Sequence, residues 1–90
     1  MLASIRTGKF KNEFALAEKR GKNMDKLIEV MGMIIREEPL PTERRNHLLH
    51  GKWEGAFECH IEPNWLLIYE IDRSANKVTF YRTGSHSDLF

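Results

Sequence analysis

The sequence predicts an α+β fold in which two N-terminal helices pack on one face of a mostly antiparallel four-stranded sheet. Apolar residues recur at helical spacing between residues 9 and 35, and three later segments of strand length alternate in polarity or run apolar. The element order is therefore β-α-α-β-β-β, and consecutive helices followed by a run of strands favour a layer of helices on a sheet. Ninety residues suffice for one core, so we expect a single domain over residues 1–90.

The first strand and the first helix are short and closely spaced. Residues 2–6 alternate loosely in polarity, which predicts a strand. Phe10, Phe14 and Ala17 then lie at i, i+4 and i+7, on one face of a helix. Gly21 provides the stop signal for that helix.

The second helix is predicted from an apolar stripe. Asn23 is its predicted N-cap, and "EEPLP" ends it because proline disfavours helical backbone in the residue before it. Such a broad stripe indicates a helix buried against the sheet. Its members are Met24, Leu27, Ile28, Met31, Ile34 and Ile35.

Residues 39–51 read as irregular, and the remaining segments read as strands. Alternation in the first of these strands places Cys59 on one side and His60 on the other. The sheet face opposite the helices is expected to lack a helical cover and to line a cleft. The three strand segments are "WEGAFECHI", "WLLIYEI" and "KVTFYRT".

The composition excludes several classes of protein. A net charge of +1 argues against nucleic-acid binding by bulk electrostatics, which needs many basic contacts. The single cysteine, Cys59, cannot form an internal disulfide and fits a reducing compartment. The chain shows no signal peptide and no apolar run long enough to span a membrane. We therefore expect a cytoplasmic protein with no membrane partner.

Four histidines are the most informative feature of the sequence. Imidazole is the side chain best able to exchange a proton near neutral pH. With Glu58 and Arg82, these histidines suggest a general acid–base pair beside a cation that could hold a phosphate. A lone histidine is more often structural or simply exposed, and that alternative stays open for each. The four are His47, His50, His60 and His86.

Zinc binding is the competing use of these histidines. His47 and His50 are spaced i, i+3 and could bind a metal with His60 or His86. The sequence contains neither HExxH nor CxxC, and alternation turns Cys59 away from His60. We therefore expect a site without metal or cofactor.

Two tryptophans and the last residue could contact RNA. Aromatic rings stack on bases when RNA is unstacked. For Trp53, packing in the core or at its rim is favoured, whereas Trp65 is equally consistent with a core or an RNA-stacking role. Phe90 reads either as a frayed end or as an anchor packed near the site.

The second half of the chain closely resembles the YafQ-like branch of the RelE/ParE superfamily of bacterial type II toxins. The resemblance rests on "NHLLHGKWEGAFECHIEPNWLLIYEI" and "RTGSHSDLF", and it spans residues 46–90. It implies a RelE-like fold and an mRNA interferase that cuts mRNA on the translating ribosome. It also implies a cognate antitoxin that neutralises the toxin in a hetero-oligomeric complex.

The resemblance also implies roles for particular residues. It makes His47, His60 and His86 the acid–base candidates, Arg82 the phosphate clamp, and Trp65 and Phe90 the residues that shape the RNA pocket. Glu58, close to His60 along the strand, is expected to face the RNA as well. His50 falls where the family does not keep histidine, so it is not included.

Two positions depart from the family pattern. Asn64 stands where the family has aspartate, and Phe57 stands where it has arginine. An amide cannot exchange a proton near neutral pH, so Asn64 would lack any acid–base function of that aspartate. The alternative interpretation is therefore a catalytically weakened toxin fold that binds an antitoxin and helps to repress their operon. Gyrase inhibition, as in the ParE branch, is disfavoured by the histidine-rich tail.

Overall fold

The computed structural model describes residues 1–90 and contains a five-stranded sheet with two long helices on one face. The predicted α+β class and its order of long elements are confirmed. The strands are β1 (Ala3–Arg6), β2 (His47–Leu48), β3 (Phe57–Glu62), β4 (Trp65–Asp72) and β5 (Lys77–Gly84). The helices are α1 (Gly8–Lys19), α2 (Met24–Ile35) and a short α3 (His86–Leu89).

The sheet order is β1-β5-β4-β3-β2, with β1 parallel to β5 and every other pair antiparallel. The prediction of four strands was wrong by one. The additional strand, β2, pairs His47 with Glu58 and Leu48 with Phe57 at the edge of the sheet. A two-residue strand is too short to show alternation in the sequence.

The long helices follow their apolar stripes. Thr7 is the N-cap of α1, and its hydroxyl accepts a hydrogen bond from the backbone N–H of Phe10. Asn23 occupies the N-cap position of α2, but its side chain makes no capping hydrogen bond. Ile28 was wrongly assigned to the buried face, since it is half-exposed. The residues of α2 that are buried are Leu27, Val30, Met31 and Ile34.

Each face of the sheet has its own apolar cluster. The larger cluster joins the helices to the sheet and includes Phe10, Leu27, Cys59, Leu67 and Phe80. The smaller one lies on the opposite face and consists of Ala56, Leu66, Ile68 and Leu89, with Leu49, Trp53 and Tyr81 packed against it. The expectation of an uncovered face was therefore wrong in part, because α3 and the segment before β3 cover part of that face. No helix is long and apolar enough to cross a membrane.

A register shift in the β4–β5 ladder sets the position of Arg82. Ile68 pairs with Arg82, whereas the next residue, Tyr69, pairs with Phe80. One residue of β5, Tyr81, is therefore extra at this point, which is the pattern of a β-bulge. Because β1 pairs with β5 only as far as Phe80, no strand pairs with this edge of β5 beyond that residue.

Candidate active site

Two of the predicted histidines come together on the sheet face opposite the long helices. His60 lies on β3 and is partly exposed, whereas its neighbour Cys59 is fully buried on the helix side, as alternation predicted. His86 is the first residue of α3. The centres of the two imidazole rings are 6.0 Å apart, at an interplanar angle of 57°. Nitrogens of both rings can thus reach oxygens of one phosphodiester.

The short helix α3 holds His86 in place through a capping box. The Ser85 hydroxyl accepts from the Asp88 backbone N–H at 3.2 Å, and the Asp88 carboxylate accepts from the Ser85 N–H at 3.0 Å. These hydrogen bonds from Ser85, aided by Arg20 at 3.3 Å, lower the pKa of Asp88. The S-x-x-D pattern in "SHSD" signals this helix start, although it was not recognised from the sequence.

Asn64 fixes the proton position on His86. The backbone N–H of His86 donates to Oδ1 of Asn64 at 3.2 Å, which establishes that the oxygen, and not the amide nitrogen, faces the histidine. The same oxygen lies 3.3 Å from Nδ1 of His86, so Nδ1 must be the donor. In the neutral ring, Nε2 is therefore left as an available acceptor.

His60 has the same arrangement. Its Nδ1 lies 3.3 Å from the carbonyl oxygen of Pro63, which can only accept a hydrogen bond. Nδ1 again carries the proton, and no protein group hydrogen-bonds Nε2. The site therefore presents two imidazole Nε2 atoms that can take up or release a proton.

His47 is held differently. Its Nδ1 donates to the carbonyl oxygen of Arg45 at 2.7 Å, and its Nε2 lies 3.4 Å from Oε1 of Glu58. Both ring nitrogens thus face acceptors within the protein, so His47 is less free than His60 to exchange a proton with RNA. Glu58 is only 5% exposed, and its carboxylate faces His47. This geometry gives no support to the predicted contact of Glu58 with RNA.

Arg82 is not a free phosphate clamp. Its guanidinium donates to both carboxylate oxygens of Glu13 on α1, the shortest distance being 2.7 Å, and both side chains are about 15% exposed or less. Hydrogen bonding to Glu13 raises the pKa of Arg82. Glu13 also accepts from the backbone N–H of Thr83, so it fastens this end of β5 to the helix. The sequence could not reveal this pairing because Glu13 lies 69 residues before Arg82.

The aromatic candidates separate into buried and exposed residues. Trp65 is 1% exposed, and its indole N–H donates to Thr83 Oγ1 at 3.0 Å. Its ring offers no free surface to a base, so this structure gives no support to the RNA-stacking role predicted for it. Trp53 packs against Tyr81 at 5.7 Å between ring centres, in agreement with the core interpretation. Phe90 is 64% exposed and remains available to RNA.

Phe57 lies on the other side of the sheet from the histidine pair. It stacks on Tyr69 with ring centres 5.6 Å apart and an interplanar angle of 18°, and it packs against the helix-side cluster. The side chain of an arginine at position 57 would leave the strand on that same face. The loss of a phosphate contact at this position is therefore not supported, and the departure from the family pattern concerns packing.

Sequence reasoning missed a small basic pocket beside His60. A cavity of about 290 Å³ is lined by His60 and by the basic side chains of Lys26, Arg44 and Arg45. The consecutive arginines just before Asn46 were the available signal, but they fall in a segment that reads as irregular. No group of three or more His, Cys, Asp or Glu side chains is arranged to hold a metal ion.

Comparison with known proteins gives a consistent result. Residues 3–90 match the family described as a bacterial toxin of type II toxin-antitoxin system, YafQ. The chain is 39% identical over 85 residues to the mRNA interferase toxin YafQ of Escherichia coli strain K12, which covers 93% of this chain and 90% of that protein.

Solved structures agree with this match. The crystal structure of YafQ from E. coli strain BL21(DE3) has a TM-score of 0.93 and 35% identity, covering 100% of this chain and 99% of that one. A chain of the E. coli DinJ-YafQ complex has a TM-score of 0.92 and 36% identity, with the same coverage. The structural similarity therefore extends over the whole chain.

Proposed function

The chain belongs to the YafQ family of toxins of bacterial type II toxin-antitoxin systems, and we propose that it is an endoribonuclease that cleaves mRNA on the translating ribosome. The observation that carries this proposal is the pair formed by His60 and His86, 6.0 Å apart with both Nε2 atoms available. The related E. coli protein is named an mRNA interferase, which agrees with this chemistry.

The reaction uses the 2′-hydroxyl of the RNA as its nucleophile. One imidazole Nε2 removes the proton from the 2′-hydroxyl as the new O2′–P bond forms. The other imidazole, in its protonated form, gives a proton to the leaving 5′ oxygen as the P–O5′ bond breaks. The products are a 2′,3′-cyclic phosphate and a 5′-hydroxyl, and no further reactant is consumed. Because one ring must be neutral and the other charged, the rate should show a bell-shaped pH dependence.

The ribosome accounts for the low net charge of the toxin. A chain of net charge +1 gains little nonspecific affinity for RNA. If the ribosome presents the mRNA, it supplies position and effective concentration that the toxin itself lacks. The toxin would then act in the cytoplasm, where a cognate antitoxin neutralises it in a hetero-oligomeric complex, as the DinJ-YafQ structure illustrates for the E. coli relative.

Cleavage in a translation extract tests the proposal. The wild-type chain and the His86→Ala variant are added to an extract translating a defined mRNA, and cuts are mapped by primer extension. We expect cuts in phase with codons from the wild type only, and few or none on the same mRNA without ribosomes. Equal inactivity of both proteins in the extract would contradict the proposal.

Asn64 supports a second candidate function, a weakened toxin that mainly binds its antitoxin and represses their operon. Its amide oxygen orients His86, but it carries no charge to stabilise the imidazolium that forms during the reaction. The Asn64→Asp variant should therefore cleave about tenfold faster than the wild type if residue 64 limits catalysis. If both proteins fail to cleave and yet bind the antitoxin and the operator DNA, the binding function is favoured.

A further inference from the structure

The basic pocket beside His60 has no role in the chemistry described above. It lies between α2, the turn at Thr42–Arg44 and the end of β3, and it occupies about 290 Å³. His60 lines it directly, so whatever occupies the pocket lies next to one of the two proton-exchanging rings. A ligand of this pocket would thus be part of, or attached to, the molecule being cut.

Arg44 contributes an unmet hydrogen-bond donor. Its Nη1 donates to the carbonyl oxygen of Ile61 at 2.7 Å, which fixes the side chain against β3. Its Nε is buried and has no hydrogen-bond partner, the only buried side-chain nitrogen or oxygen in the chain without one. Buried polar groups are nearly always paired, so Arg44 keeps one unused donor next to the pocket that its side chain lines.

Arg45 contributes a free positive charge. Its side chain is exposed and forms no ion pair. Its backbone is in the left-handed region, with φ at 52°, a conformation that a residue with a side chain adopts at a cost. That conformation accompanies the 2.7 Å hydrogen bond from His47 Nδ1 to the Arg45 carbonyl oxygen, which links the basic turn to β2.

The remaining charges in the pocket largely cancel. Lys26 donates to Glu62 at 3.0 Å, so this pair adds little net field. Glu43 is the other acidic residue in the lining and lies in the same turn as the arginines. Two arginines therefore face one uncompensated carboxylate, which leaves a modest positive excess next to His60.

We propose that this pocket binds a backbone phosphate of single-stranded RNA next to the scissile one, with Arg45 as its principal contact and Arg44 as the second. The proposal rests on the proposed function, because it assigns the occupant of the pocket to the mRNA being cut. It also gives the RNA backbone a cationic contact, which Arg82 does not offer while it is paired with Glu13. Guanidinium groups suit this task because their planar array of donors matches phosphate oxygens.

RNA binding by a matched pair of variants tests the proposal. The probe is a six-nucleotide RNA with 2′-O-methyl on every sugar, which cannot be cleaved because its nucleophile is blocked. Dissociation constants for the wild type, Arg45→Gln and Arg73→Gln are measured by NMR titration at several salt concentrations. Arg73 is a suitable control because it is exposed and its only ion pair is with Glu37. It lies in the turn between β4 and β5, at the end of the hairpin far from His60.

Arg45→Gln should weaken binding about tenfold, since it removes one charge-assisted contact. It should also reduce the slope of log K against log salt by about 0.7, the value for one phosphate on a single strand. The Nε–H signal of Arg44 should shift on titration of the wild type, and Arg73→Gln should bind within twofold of the wild type. In the translation extract, Arg45→Gln should raise KM with little change in kcat.

Three results of the binding measurement would overturn the proposal. These are no binding of the probe by the wild type, equal affinity and salt slope for Arg45→Gln and the wild type, and equal weakening by Arg73→Gln. Failure of the proposed function gives a different pattern, in which binding depends on Arg45 but no mRNA is cut. If Arg45→Gln cleaves mRNA as fast as the wild type, the proposal for the pocket is wrong, whereas the proposed function of the histidine pair still stands.

Discussion

The two faces of the sheet use the same strands for different purposes. On the helix side, β3 contributes Cys59 to a continuous core of buried apolar residues. On the opposite side, the next residue, His60, is partly exposed and lies 6.0 Å from His86. The cluster behind that second side has only four buried members, so much of this face is left to polar residues.

The difference shows how so small a protein combines stability with chemistry. A dense core on one face supplies most of the burial that stabilises the fold. The other face can then carry titratable groups whose nitrogens must stay accessible, because removing them from water would oppose their charged forms. Substitutions on the helix side should therefore change stability, and those on the histidine side should change cleavage.

The neighbours His60 and Cys59 give the largest expected contrast. His60→Ala should lower the rate of mRNA cleavage about a thousandfold, because it removes one of two proton-transfer groups. Its free energy of unfolding should change little, since the ring is partly exposed. Cys59→Ala should leave cleavage intact. Cleavage assays and urea unfolding of both variants check this. A large loss of stability in His60→Ala would contradict the assignment of stability to the helix side and cleavage to the histidine side.

The ion pair of Glu13 and Arg82 should contribute the next largest effect. Glu13→Ala leaves a mostly buried guanidinium without its carboxylate, which should cost about 3 kcal/mol of unfolding free energy. Glu18→Ala, an exposed change in the same helix, serves as the control. Urea denaturation measures both. If Glu13→Ala instead kept its stability and cleaved faster, Arg82 would be a restrained phosphate clamp, as the sequence first indicated.

Restoring the family's arginine at position 57 should harm the protein without helping it. Phe57→Arg replaces a ring stacked on Tyr69 with a charged group at the edge of the helix-side core. We expect a loss of about 2 kcal/mol in unfolding free energy and no gain in cleavage. Thermal unfolding and the translation assay test both parts. Faster cleavage by this variant would show that position 57 acts across the sheet.

The smallest effect concerns the Cys59 thiol at alkaline pH. Burial raises its pKa from 9.0 to about 12. Between these values the unfolded chain loses the proton and the folded chain keeps it, so stability falls as pH rises. The thiol should cost about 1 kcal/mol at pH 10. The difference in unfolding free energy between the wild type and Cys59→Ala should therefore shrink from pH 8 to pH 10, and a constant difference would contradict burial of the thiol.

The sequence predicted the features that repeat and missed those that depend on single contacts. The stripe of α2 and the alternation at Cys59 and His60 each involve several residues in register, so local pattern reveals them. The burial of Trp65 was not predictable, because β4 is apolar on both faces and its pattern does not say which side the indole takes. The ion pair of Arg82 with Glu13 was not predictable either, because it depends on the bulge in β5 and on α1, which are far apart in sequence.

The candidate site divides in the same way. His60, His86 and Asn64 were selected through the family resemblance, and the structure brings all three together. Trp65 was selected in the same way and Glu58 for its place near His60, but the side chains of both are buried in this structure. The arginines of the basic pocket were overlooked, because an irregular segment shows no periodicity that would direct attention to them.

The parallel pairing of β1 with β5 affects the order in which this toxin can fold. β1 is made first, but its partner is the last strand, and Ala3 pairs with Lys77. Contacts so distant along the chain form slowly, because a long loop must close before they give any stabilisation. During synthesis, β1 and the two long helices therefore lack their partner strand until β5 has been made. The histidine pair cannot assemble before β5 docks. A partly synthesised chain thus lacks the complete histidine pair, because His86 follows β5.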